Sequence, residues 1–257
     1  MGLEFVRLSV ESRVGWLEYA RAPVNAFNHR MVADVHAGLR ALLADPAAGV
    51  VVFASALPRY FSSGADLKVF QGLSAAAMAE WVDSCHDIVR EIRASPKPIL
   101  AAINGVAVGG GLEMVLHADL RFAAADARLG QPEIAIGFIP PVGGTQGLAR
   151  LLGRPRALRL LYDGGLLTAA EAQRIGLVDE VVEPERLREE VGAYARGLAE
   201  KPADALAAIR RCVGVGGALP FEEGLAVERE AAVALAGGEN FREGVASFLA
   251  KRKPVWR

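Results

Sequence analysis

The feature that most constrains this chain is a grammar it uses more than once. An unbroken apolar run is followed by a loop of small residues and then by a stretch with helical spacing. Residues 50–53 read Val-Val-Val-Phe, without the polar alternation of a half-exposed strand. Such a run is buried on both faces, as the strands of parallel sheets are. Residues 99–103 (Ile-Leu-Ala-Ala-Ile) obey the same rule and lead through Gly109-Gly110-Gly111 into a helix predicted to open near Leu112. Between these strands, Met31, Val32, Val35, Leu39 and Leu42 recur at helical spacing over 28–43, and Asp45-Pro46 ends the run. A second helix is predicted over 75–93, before Pro96 and Pro98, and further strands over 120–124 and 178–182. Strands alternating with helices make an α/β core with parallel pairing. The exception is an N-terminal hairpin, in which Phe5, Arg7, Ser9 and Val14, Trp16, Glu18 flank Glu11-Ser12-Arg13.

The last third of the chain changes character. Thr168-Ala169-Ala170-Glu171 reads as a capping box opening a short helix, and Asn240-Phe241-Arg242-Glu243 as the start of another. Residues 184–213 and 221–236 read as helices, interrupted by Lys201-Pro202 and by 214–220. Residues 1–195 are therefore expected to form the α/β core and 196–257 a C-terminal helical region that serves oligomerisation. No Pro-, Gly- or Ser-rich linker divides them, so they should pack as one unit.

Composition removes several function classes. Lys plus Arg number 29 against 30 Asp plus Glu, a net charge of −1, which lacks the basic excess of a nucleic-acid binder. Two cysteines, Cys85 and Cys212, are too few for a disulfide framework. His29, His36, His86 and His117 show no metal-ligand spacing, so no metal is expected. The N-terminal segment carries Glu4, Arg7 and Glu11, where a signal peptide needs an apolar run, and no apolar stretch reaches membrane-spanning length. A soluble, cytoplasmic protein is expected. There is no GxSxG elbow, and the glycines of 105–111 match neither GxGxxG nor a phosphate loop.

What remains is a strand that runs through three glycines into a helix. Backbone N–H groups at such a start lack intrahelical partners, and glycine allows a ligand to approach them closely. That suits a developing oxyanion. Glu113 lies in the first turn of this helix. The same glycines equally permit tight strand–helix packing, with Glu113 complementing the helix dipole. The segment 61–68 (FSSGADLK) repeats the pattern after strand 50–55, and 129–133 (LGQPE) puts Glu133 in an apolar loop, where a protonated carboxyl is favoured. Two carboxylates in different surroundings, with two candidate oxyanion donors, make a coherent acid–base set.

These segments resemble the enoyl-CoA hydratase/isomerase (crotonase) superfamily over nearly the whole chain. The resemblance is carried in order by Pro23-Val24-Asn25-Ala26, FSSGADLK at 61–68, NGVAVGGGLE at 104–113, LGQPEIAIGFIP at 129–140, GGTQGLARLLG at 143–153, the segment 167–182 and FREGVASFLAKRKP at 241–254. It implies a crotonase-like spiral of strand–strand–helix turns with a C-terminal helical part, and an acyl-CoA thioester as substrate. It also implies a homotrimer or homohexamer. The backbone N–H groups of Ala65 and Gly110 would form the oxyanion hole, and Glu113 and Glu133 would hold and activate water. Val24, Ser63, Asp66, Leu67, Lys68 and Pro132 would complete the substrate and coenzyme A contacts, with Lys68 near the adenine or phosphates. No cofactor is implied, because coenzyme A is part of the substrate.

With both carboxylates present, the implied reaction is reversible syn hydration of a trans-2-enoyl-CoA to a 3-hydroxyacyl-CoA. Isomerisation, or dehydration of a specialised acyl-CoA, is the alternative through the same enolate. Some members of the superfamily bind RNA. The basic stretches Arg150, Arg154, Arg156, Arg159 and Lys251-Arg252-Lys253 would be the place for it, but the balanced total charge speaks against it. The sequence departs from the family pattern at Pro140-Pro141-Val142, where Pro-Gly-x is usual, at Ser63 for alanine and at Phe27 for leucine. The extra proline stiffens a loop beside the acyl end.

Overall fold

The computed structural model describes residues 2–257. The hairpin forms as its alternation predicts: β1 (Val6–Glu11) pairs antiparallel with β2 (Val14–Tyr19), and Ser12 and Arg13 turn the chain. The helix α1 (His29–Ala44) is capped by the Asn28 side chain, which accepts from the N–H of Met31. Its apolar face, which includes Met31, Val35 and Leu39, is fully buried. The apolar run becomes β3 (Val50–Ser55), followed by a short strand β4 (Tyr60–Ser62), a helical turn α2 (Leu67–Phe70) and the long helix α3 (Ala75–Ala94).

The unit then repeats. β5 (Ile99–Ile103) is followed by β6 (Val106–Val108) and α4 (Gly110–Val115). β7 (Leu120–Ala124) is followed by β8 (Arg128–Gly130), a 3-10 turn at Glu133–Ile136, α5 (Gly144–Leu152) and α6 (Arg154–Asp163). Each turn of this spiral gives its long strand to one sheet and its short strand to another. The large sheet has the order β1-β2-β3-β5-β7-β10, where β10 is Glu180–Val182, and is parallel from β2 onward. The small sheet has the order β4-β6-β8-β9, where β9 is Leu166–Thr168. Its strands β4, β6 and β8 are parallel.

The capping box at Thr168 forms: Thr168 Oγ1 accepts from Glu171 N at 3.2 Å, Glu171 Oε2 accepts from Thr168 N at 2.9 Å, and α7 (Ala169–Ile175) follows. The helix α8 (Leu187–Ala199) buries Leu187, Val191 and Ala195 against the large sheet. α9 (Ala203–Gly214), α10 (Phe221–Ala236) and α11 (Glu239–Leu249) form the C-terminal group. Arg210 ties α9 to the core, with Nε donating to Asp119 at 2.8 Å and its other nitrogens to the carbonyls of Ser95 and Ile92 at 2.6 Å.

Three sequence expectations change. The helix expected near Leu112 opens at Gly110, and a short further strand, β6, stands before it where the sequence predicts only a glycine turn. The strand of 178–182 is confined to Glu180–Val182. Asn240 does not cap a helix: α11 starts at Glu239, with Gly238 at its cap two residues before Asn240. The Asn240 side chain instead reaches Asp204 Oδ1 at 3.0 Å and the N–H of Arg257 at 2.8 Å. Long-range partners outbid the local cap. Among the described residues, no helix is long and apolar enough to cross a membrane.

Candidate active site

Because β4, β6 and β8 run parallel, the segments leaving their C-terminal ends emerge side by side. Residues 63–65, 109–110 and 132–133 therefore meet, although their sequences lie far apart. They wall a cavity of about 240 Å³. Such a crevice at the carboxyl ends of parallel strands is where α/β proteins place ligands.

The first wall is held by the loop before α1. Phe27 bridges Ala65 in parallel fashion: Phe27 N donates to Gly64 O at 2.7 Å, and Asp66 N donates to Phe27 O at 2.8 Å. That ladder leaves the Ala65 N–H outside it. Asn25, fully buried, donates from Nδ2 to Ser55 Oγ at 2.8 Å and to Phe61 O at 3.0 Å, and so pins this loop to β4.

The second wall is the start of α4. Gly109 has φ +52°, and a Cβ there would come within 2.8 Å of Glu133 Oε1, so only glycine lets the chain turn this close to the carboxylate. A Cβ on Gly110 would meet nothing within 4 Å, because its Cα faces the open cavity. The N–H of Gly110 is one of the first-turn donors without an intrahelical acceptor.

Glu113 follows one turn on and is 1% exposed. Its Oε1 accepts from Val142 N at 2.6 Å and from Gly144 N at 2.9 Å. Burial, then the nearby Glu133 carboxylate, pushes its pKa up to about 8, against the pull of those two N–H groups. Glu133, at the start of the 3-10 turn, is also raised by burial. The side-chain amide of the buried Gln131 lies 3.2 Å from both Glu133 oxygens, and an amide there satisfies both groups only with its nitrogen on the Glu133 side. The loop 142–144 rests on His117, whose pKa burial pushes down to about 4. A neutral ring therefore backs the site.

The far side is apolar. α3 presents Trp81 and Cys85, one helical turn apart, and α2 presents Leu67 and Phe70. Phe70 meets Trp81 edge-on at 5.5 Å, and Phe138 closes beside it at 6.4 Å. Desolvation pushes the Cys85 thiol up to about 12, so it stays neutral.

Of the residues singled out in the sequence, Ser63, Ala65, Leu67, Gly110, Glu113, Pro132 and Glu133 share this one cavity. Val24, Asp66 and Lys68 stand outside its wall. The carbonyl of Val24 accepts from Ser63 N at 3.0 Å. Asp66 pairs with Arg21 at 3.0 Å and caps α2. Lys68 is exposed on α2. Sequence reasoning missed Gln131, the N–H donors of Val142 and Gly144, and the Trp81–Cys85 pair. Only the last left a readable signal, the i, i+4 spacing of Trp81, Cys85 and Val89 on the buried face of α3.

The enoyl-CoA hydratase/isomerase family model matches residues 11–257. The chain belongs to this family. Within it, a probable enoyl-CoA hydratase from Rhizobium meliloti is 36% identical over 100% of this chain and 99% of its own length. A crotonyl-CoA hydratase from Syntrophomonas wolfei is 34% identical, covering 98% of both chains. The crystal structure of an enoyl-CoA hydratase from Geobacillus kaustophilus superposes with a TM-score of 0.96 at 31% identity, over 100% of this chain and 98% of that one. The spiral of strand–strand–helix turns is thus the crotonase fold of the enoyl-CoA hydratase/isomerase family.

Proposed function

We propose that this protein is an enoyl-CoA hydratase, a hydro-lyase that adds water reversibly and syn across the double bond of a trans-2-enoyl-CoA. The observation that carries this reading is the pair of carboxyls, Glu113 buried and Glu133 half-buried, in one cavity with the free N–H of Gly110. The thioester oxygen accepts from the N–H groups of Ala65 and Gly110, which draws electron density off the β-carbon and stabilises the enolate. Glu113, oriented through its Oε1, takes one proton from water as the hydroxyl oxygen bonds to the β-carbon. Glu133 gives its proton to the α-carbon, the enolate oxygen's electron pair re-forms the carbonyl double bond, and the negative charge is left on the Glu133 carboxylate. Burial raises both carboxyls, and part of the rise at Glu113 comes from the Glu133 charge. When Glu133 holds its proton that part is absent, which favours Glu133 as the acid and Glu113 as the base. N–H dipoles and carboxyl groups supply the whole of this chemistry, so neither metal nor redox group enters it.

Acyl specificity follows from the cavity wall. Phe70, Trp81, Met114 and Phe138 line it, and no Lys, Arg or His does among the described residues. An uncharged apolar acyl group fits, whereas a distal carboxylate would be buried without a partner. We further infer that the chain acts in the cytoplasm as a homotrimer or homohexamer, with Ser63 and Pro132 at the thioester and 65–68 toward coenzyme A. The test is a panel of enoyl-CoA thioesters, followed by loss of enoyl absorbance with products weighed by mass spectrometry. Hydration adds the mass of one water. A product of unchanged mass would instead make the protein an isomerase.

A further inference from the structure

The loop that orients Glu113 has a peculiarity of composition. Pro140 and Pro141 precede Val142, and neither proline has an N–H with which the loop could anchor itself. Its polar handle is the carbonyl of Pro141. His86, half-buried on α3 one residue beyond the cavity-lining Cys85, has Nε2 at 2.7 Å from that oxygen. A carbonyl only accepts, so a hydrogen bond at this distance requires the hydrogen on Nε2.

The other end of the same peptide unit is the Val142 N–H, which donates to Glu113 Oε1 at 2.6 Å. The Pro141–Val142 peptide is therefore bracketed, with an imidazole donor on its oxygen and a carboxylate acceptor on its hydrogen. The unit is planar and conjugated, so a bond to the oxygen fixes the direction of the N–H and strengthens its donation. Glu113 is 1% exposed. The protein hydrogen bonds that align it come from the N–H groups of Val142 and Gly144.

We propose that His86 is a positioning residue for Glu113, acting through the Pro141–Val142 peptide. This rests on the reading of Glu113 as the group that takes the proton from water. His86 touches neither substrate nor reacting atoms; it holds the loop that holds the carboxylate.

The experiment compares kcat and KM on a short enoyl-CoA for the wild type, His86→Leu, His86→Gln and Glu113→Gln. Removing the donor in His86→Leu should lower kcat about tenfold, the worth of one hydrogen bond, while KM stays near the wild-type value. Restoring a donor in His86→Gln should recover most of that loss. In the Glu113→Gln background, His86→Leu should cost nothing further, because the carboxylate it serves is gone. A wild-type kcat in His86→Leu overturns the proposal. So does an equal loss in the Leu and Gln variants, which would mean that the ring matters only by its volume. If His86→Leu loses its circular dichroism, the unbranched His86→Met takes its place with the same expectations. Failure of the underlying reading looks different: Glu113→Gln would then keep its activity whatever His86 does.

Discussion

In the proposed reaction Glu113 and Glu133 carry the chemistry, and the chain buries the first and half-buries the second at the ends of neighbouring segments. Replacing either carboxyl by its amide removes a positioned acid or base while keeping its shape. Glu113→Gln and Glu133→Gln should each lower kcat by about two orders of magnitude and leave KM largely intact. Near-wild-type turnover in either variant would remove that residue from the mechanism. The same burial has a cost that can be read separately. The folded-state pKa of Glu113 lies at about 8 against an ordinary 4.5, so above the ordinary value the folded chain holds a proton that the unfolded chain has released. The stability this represents is fully present below pH 4.5 and is lost as the pH rises through about 8. The uncharged Glu113→Gln escapes that loss. Its Tm should exceed that of the wild type by a margin that grows between about pH 5 and the folded-state value of about 8. A margin that is flat or shrinking with pH would show that the buried carboxyl is not strained by its surroundings.

At the scale of the element, the decisive piece is the six-residue helix α4. It begins so close to β4 that a Cβ on Gly111 would fall 2.4 Å from Ser62 Cβ, and only glycine there permits the contact. Gly110 is different. Its Cβ position is empty, so a side chain added there meets the cavity rather than the protein. Gly110→Val should therefore fold, with unchanged circular dichroism, and yet lose activity because the side chain occupies the place of the thioester oxygen. An active Gly110→Val enzyme would exclude the Gly110 N–H as an oxyanion donor. The long helix α3 contributes at the same scale. One face closes the cavity with Trp81 and Cys85, and the next residue, His86, reaches the loop before α5.

At the scale of the molecule, α9 to α11 leave large apolar side chains in the open. Phe248 is 83% exposed and Leu249 76%, and a groove lined by Pro202, Leu235, Phe241, Val245, Phe248 and Trp256 runs between the helices and the C-terminal tail. This is more than scattered surface leucine, and it is the kind of face that a further copy of the chain would cover. α11 is not a loose tail. Arg252 donates to both oxygens of Glu243, at 2.5 and 2.8 Å, and Val255 N donates to the same carboxylate at 2.8 Å. Deleting residues 237–257 should cost both assembly and activity, measured by light scattering and enoyl-CoA turnover on the intact and shortened chains. A monomeric intact protein, or a shortened one with the same subunit number and full activity, would make the segment dispensable.

Much of this molecule was legible without coordinates, and for local reasons. A β-branched run such as 50–53 has few options other than a doubly buried strand, and the side chains of the Thr168 capping box act within one helical turn. The glycines and carboxylates of 104–113 and 129–133, read with the family resemblance, marked the residues that line one cavity. The small sheet was not legible. β4, β6, β8 and β9 have three residues each, too short for any periodicity, and each exists only because its partners are in place. α5 and α6 were equally hidden, since both start at glycines without a capping side chain and their arginines read as charge rather than as helix. The donors that orient Glu113 come from residues 29 and 31 positions away. Backbone N–H groups are common to all residues but proline, so no letter of the sequence marks which of them will meet a carboxylate. The sequence determined which residues are apolar, which can turn and which carry protons. The tertiary structure decided which of those groups meet, because parallel strands bring distant segments to one edge and burial there alters their charge.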